Sequence, residues 1–262
     1  EGGWLAIGGP GGQGRVWYVE PTGPWLGALQ CPFWLAVLAG GLLAAVVAFF
    51  IGLPVLRLRG DYLAIATLGF AEIIRIIFFN TQTLTHGSMG VKSIPPTANL
   101  LWCVGVAALM VVFMLRLIHS SYGRAFKAIR DDEIAAEAMG INLFKHKMYS
   151  FILSAFIAGV GGGLMASVVS AITPNLFRFT LAYDILLIVV LGGMGSITGT
   201  VVAAFVITAA KEWLRWLDAG FSIGPLTVPE IPGLRMVIFS VLLMGIILVY
   251  RQGFFGSTEL SW

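Results

Sequence analysis

HSSYGRAFKAIRDDEIAAEAMGINLFKHK, residues 119–147, is a charged island between two long apolar runs, and its reading decides what kind of chain this is. It carries nine of the chain's 29 charged residues (16 basic, 13 acidic). Two short helices are predicted inside it. The first lies near 122–130, with Arg124, Lys127 and Arg130 spaced three apart along one face. The second opens at Asp131 or Asp132 as cap, places Asp132 and Glu133 in its first turn, is filled by Ala135, Ala136 and Ala138, and stops at Gly140. A structured charged loop between membrane spans is either a docking surface for a soluble partner or a solvated cytoplasmic loop.

The flanks set the class. The chain is 58% hydrophobic and 11% charged with mean hydropathy +0.91, whereas a soluble domain carries about a quarter charged residues. An all-α polytopic membrane bundle is expected. The net charge of +3 is small and its basic residues cluster beside apolar runs, as cytoplasmic loops require, so nucleic acid is not implied. Cys31 and Cys103 have no metal or disulfide spacing and are read as packing residues.

Residues 1–32 are Gly/Pro-rich and read as an exposed tail. Their GGPGGQGR ends at Arg15 and Val16, without the Lys and Ser/Thr of a phosphate loop. The chain starts without Met or a signal peptide, which points to a truncated gene product. The first span is 33–56, free of charge and closed by Arg57 and Arg59. The second, 62–79, holds Glu72 and Arg75, which can pair three apart on one helix face; charges inside a membrane need a partner or a wet cavity. Residues 80–99 contain THGSMGVKSIPP, which breaks helix and is placed outside. A third span covers 100–118.

Beyond the polar island, a span over 148–169 carries Gly159, Gly161, Gly162 and Gly163; Gly159 and Gly163, four apart, are predicted to mark a close packing face. Residues 181–210 are too long for one comfortable span and Gly-rich over 192–199. They are either two shortened spans meeting at a turn, as in the broken helices of transport proteins, or one tilted span; the flanking charges weakly prefer the second. Trp213 and Trp216 beside Lys211 and Arg215 look interfacial. A last span covers 234–250, followed by a short tail over 256–262.

Five segments carry a family resemblance: LRLRGDYLAIATLGFAEIIRIIF, THGSMGVKSIPP, the stretch from SYGRAFKAIRDDEIAAEAMGINLFKHK to GVGGGLMA, ITPNLF, and VVLGGMGSITGT. In this order they resemble the permease subunits of bacterial branched-chain amino acid ABC importers, and the larger of two paralogues, over about 33–255. The resemblance implies a multi-pass protein of the bacterial inner (plasma) membrane with about seven spans here. It implies as partners a second permease, two cytoplasmic ATPase subunits that bind the ATP, membrane lipid, and a periplasmic binding protein delivering leucine, isoleucine or valine. No cofactor or metal would sit on this chain. Residues 133–142, EIAAEAMGIN, resemble the motif that docks into an ATPase groove. This makes Arg124, Arg130, Asp131, Asp132, Glu133, Ala136, Glu137 and Gly140 the expected coupling residues, within a coupling loop over 119–147. Thr67, Glu72, Arg75, Gly192, Gly193, Gly195 and Ser196 are the candidates for the translocation path or for helix packing. Splitting 181–210 into two spans fits the resemblance. The family's N-terminal spans have no counterpart, and Gly12-Gln13-Gly14 does not replace their motif.

Other classes fit less well. A secondary transporter would carry more buried carboxylates than Glu72 and, near a span end, Asp184. An enzyme needs a constellation, yet His86, His119 and His146 are scattered and neither HExxH nor Gly-x-Ser-x-Gly occurs, so no catalytic residue is expected. Related permeases carry urea or short amides, which leaves the cargo as an alternative.

Overall fold

The computed structural model describes residues 33–58, 60–81, 85, 87–92, 94, 98–193, 195–214, 221–223, 226–228, 240 and 244. The tail over 1–32, the span over 234–250 apart from Ser240 and Met244, the C-terminal tail, and Cys31, Arg59 and Trp216 lie outside them. The fold is helical, with two short ribbons, and divides into two compact units, Glu1–Met110 with Arg124–Phe177 and Val111–Gly123 with Arg178–Trp262.

The first unit contains α1 (Phe33–Val55), α2 (Asp61–Asn80), the start of α3 (Leu100–His119), most of α4 (Ser121–Asp131), α5 (Glu133–Ala138) and α6 (Leu143–Val169). Helices α1, α2, α3 and α6 are long and apolar enough to cross a membrane. Only α1 and α6 pack extensively, and small residues explain why. Gly159 lies under α1 so closely that a Cβ there would stand 2.7 Å from Ala44 Cβ and 2.9 Å from the Gly40 carbonyl and Gly41 Cα. Val160 and Phe156 cover Gly41, Met148 and Phe151 cover Gly52, and Gly163 faces Val37. As numbers rise along α1 they fall along α6, so the pair is antiparallel. The expectation that Gly159 and Gly163 mark a packing face holds, and its partner is α1. Helix α6 begins at Leu143, earlier than the expected 148, because Asn142 caps it by accepting the Lys145 N–H.

By contrast, no residue of α2 or α3 is buried among the described residues. Their Ile, Leu, Val and Phe side chains point outward along both helices, which is stable only in lipid or against another polypeptide. The segment expected to break helix after α2 does so. It forms a 3-10 turn, Gly87–Met89, and strand β1 (Val91–Lys92), which pairs antiparallel with β2 (Ala171–Ile172) just past α6. The Ser167 hydroxyl accepts the Ala98 N–H at 3.1 Å and Ile94 N–H donates to the Ser170 carbonyl at 3.1 Å, pinning this loop to the end of α6.

The second unit contains the end of α3, α7 (Phe179–Gly192), α8 (Ile197–Trp213) and a hairpin of β3 (Phe221–Ile223) and β4 (Leu226–Val228). Residues 181–210 are thus two helices; a single tilted span, the arrangement the charge count preferred, is not observed. Leu191, Ala203 and Ile207 form their shared core, with Leu187, Ile188, Ala210 and Leu214 packed around it.

Candidate functional site

The polar island folds as its sequence predicts, into helix, cap, helix and turn. Asp132 is extended and its carboxylate accepts the N–H groups of Ile134 at 2.8 Å and Ala135 at 3.1 Å, two of the four donors that a starting helix leaves unmet. At the other end Gly140 has φ +85°, its N–H donates to the Glu137 carbonyl, and Ile141 N–H reaches back to Ala136 at 3.1 Å. A Cβ on Gly140 would touch nothing within 4 Å, so glycine is required there by backbone conformation and not by space.

The expected coupling residues do different jobs. Glu133 turns back to α6, where the Lys147 ammonium donates to its carboxylate at 2.6 Å, bracing α5 against the first turns of the span. Ala136 is buried, as is Ile129 of α4, and Phe126 lays its ring edge-on to His146. Arg130 donates twice to the neighbouring Asp131 carboxylate, at 2.9 and 3.0 Å, so these two charges offset each other at the surface. Arg124 and Glu137 are exposed. Asp132, Glu133, Ala136 and Gly140 therefore hold the shape, and Arg124, Arg130, Asp131 and Glu137 lie on the surface. Two residues that sequence reasoning missed belong there as well. Ile134 is 82% exposed and Met139 83%, large apolar side chains on an otherwise polar segment. Their signal was legible: each is apolar on a helix whose inward position is already taken by Ala136.

Within the spans, Glu72 and Arg75 form the expected ion pair. Arg75 Nε donates to Glu72 Oε2 at 2.9 Å, and a second contact joins Nη2 to Oε1, which makes the pair bidentate. The Thr67 hydroxyl donates to the Ala64 carbonyl at 2.8 Å, satisfied inside its own helix. Gly192, Gly193, Gly195 and Ser196 come together at the tip of the α7–α8 hairpin. Gly193 and Gly195 have φ +106° and +124°, and a Cβ on Gly192 would stand 2.5 Å from Thr200 Cα. Ser196 caps α8 through the Gly199 N–H at 3.1 Å. The glycines thus serve a sharp turn and close helix contact. The structure places Glu72 and Arg75 in one unit and the tip in the other. Among the described residues no cluster of His, Cys, Asp or Glu could hold a metal ion.

Among the described residues, four apolar helices long enough to span a membrane, interrupted by a capped, braced, surface-exposed helical segment, define a multi-pass membrane protein. The chain belongs to the family of permease components of branched-chain amino acid transport systems, whose model matches residues 16–250. It is 36% identical over 217 residues to the high-affinity branched-chain amino acid transport system permease protein LivM of Escherichia coli, covering 70% of this chain and 51% of that protein. The LivM protein of Salmonella typhimurium is equally similar, with the same coverage. The high-affinity branched-chain amino acid transport system permease protein LivH of Escherichia coli is 28% identical over 202 residues, 68% of this chain and 65% of LivH. The M-type resemblance therefore holds, and the chain spans about half the length of the LivM relatives. No solved structure matches it.

Proposed function

We propose that this chain is part of the permease subunit of an ATP-driven importer that moves leucine, isoleucine or valine across the inner membrane. It would pair with a second permease and two cytoplasmic ATPase subunits that hold the ATP, and would receive its cargo from a periplasmic binding protein. The observation that carries this reading is the segment 121–142. Its caps, its Glu133–Lys147 brace and its outward Ile134 and Met139 make a rigid, partly apolar knob at the head of a spanning helix. Such a knob suits insertion into a groove of a soluble subunit whose motion must reach the membrane.

Transport supplies the test. The complete complex, reconstituted in liposomes with its binding protein, is expected to accumulate labelled leucine with internal ATP while ion gradients are collapsed. Uptake that follows an ion gradient and ignores ATP defeats the proposal in favour of a secondary transporter. Accumulation of urea or a short amide in place of leucine keeps the ATP coupling and overturns the cargo.

A further inference from the structure

The α7–α8 hairpin turns within four residues, and its dimensions do not match a pair of full spans. At 1.5 Å per residue, the 14 residues of α7 extend about 21 Å and the 17 of α8 about 26 Å, against a hydrocarbon thickness of about 30 Å. The distribution of charge is more restrictive than length. Asp184 and Lys211 pair across the hairpin at 2.8 Å, with side chains 47% and 35% exposed. The pair lies beside the exposed Trp213, and a Lys next to a Trp is the combination that anchors a helix at a membrane interface. From Asp184 to Gly193 there are nine residues of rise, about 14 Å, and from Ser196 to Lys211 fifteen, about 22 Å. With the ion pair at the interface, the tip lies about 14–22 Å below it, inside the hydrocarbon and short of the far interface. With the tip at the far interface, the pair would be deep in hydrocarbon.

The tip itself is finished for a water-poor site. It carries no charge over 185–210. Ser196 is 2% exposed; its hydroxyl accepts the Gly199 N–H and meets Thr198 Oγ1 at 3.2 Å. Its N–H donates to Gly193, its carbonyl accepts the Thr200 hydroxyl at 2.8 Å, and Gly193 N–H closes onto Val189. A solvent-facing loop between two full spans does not need its polar groups satisfied internally, whereas a tip inside the bilayer does.

We propose that α7 and α8 form a re-entrant hairpin. It dips into the membrane from the face opposite the 121–142 segment, ends at Gly192–Ser196 within the hydrocarbon, and returns to the same face. The chain leaves α6 on that opposite face and enters α7 after residues 170–178. This replaces the two shortened spans, or the one tilted span, expected for 181–210. The inference needs only the membrane reading and stands apart from the choice of cargo or energy source.

Sidedness of labelling decides it. Single cysteines at Thr198, at Ile197, at Thr180 near the start of α7 and at Ser121 in the polar segment are placed in a full-length chain with Cys31→Ser and Cys103→Ser, assembled in native membranes. A membrane-impermeant maleimide is applied to right-side-out and inside-out vesicles, and then in detergent. The expected result is that Ser121→Cys and Thr180→Cys label from opposite faces, whereas Thr198→Cys and Ile197→Cys never label from the Ser121 face and react fully in detergent. Labelling of either tip cysteine from the same face as Ser121→Cys, at a comparable rate, overturns the proposal. Ile197→Cys leaves the Thr198 hydroxyl contact intact and so covers a local failure of the first variant.

Discussion

Gly159→Ala and Gly161→Ala add the same methyl group, two residues apart on the same helix, and the structure assigns them different outcomes. At Gly159 the new carbon would stand 2.7 Å from Ala44 Cβ and 2.9 Å from α1 backbone atoms, whereas carbon atoms pack at about 3.5 Å or more. Relief requires α1 and α6 to part by about 1 Å along their contact, loosening Val160 and Phe156 over Gly41 as well. Overpacking of this kind costs about 1–3 kcal/mol. At Gly161 nothing lies within 4 Å. Both substitutions gain the same helix propensity, about 1 kcal/mol, so it cancels in the comparison. The stability difference between the variants is therefore about 1–3 kcal/mol, about five- to 150-fold in the folded-to-unfolded ratio. Gly162→Ala should behave as Gly161→Ala, and Gly163→Ala, whose nearest neighbour is Val37 at 3.5 Å, should fit without displacement. Reversible unfolding of the purified permease in mixed micelles of graded SDS content measures the series. Equal stability of Gly159→Ala and Gly161→Ala would refute the packing reasoning.

Three other perturbations follow from the same geometry. Arg75→Gln removes the guanidinium that holds Glu72 and should lower the yield of folded protein, with Glu72→Gln plus Arg75→Gln recovering part of it; a double variant that folds, keeps the proposed ATPase partners and transports nothing would move the pair into the substrate path. Gly140→Val forces a branched residue to φ +85°, a strain of about 1–2 kcal/mol, and should weaken co-purification of the ATPase subunits; normal binding and uptake would exclude a docking role for α5. Gly192→Ala drives a carbon to 2.5 Å from Thr200 Cα and should reduce folded protein measured by size-exclusion chromatography, while an unchanged monodisperse yield would show that the tip has room to yield.

Much of this was legible in the sequence because the signals are local. Uninterrupted apolar length defined the spans, Asp132 and Gly140 announced the limits of α5, and the three-residue spacing of Glu72 and Arg75 fixed their pairing, since each of these depends on residues within a turn or two. The glycine run over 159–163 even disclosed which two positions form a packing face. It could not name the partner: Gly40, Gly41 and Ala44 lie more than a hundred residues away, and small residues fit against any helix that presents a matching groove. The division of labour within 124–140 was hidden for the same reason. Glu133 reads as a surface charge until Lys147, fourteen residues on, is brought within 2.6 Å. The 181–210 region shows the limit most clearly. Its length and charges allowed one span or two, because counting residues does not register a reversal of direction. That reversal comes from Gly193 and Gly195 at positive φ and from the burial of Leu191 against Ala203 and Ile207. Local sequence sets where helices begin and end; contacts between distant residues set which faces meet, because apolar surface is interchangeable until a complementary shape closes over it.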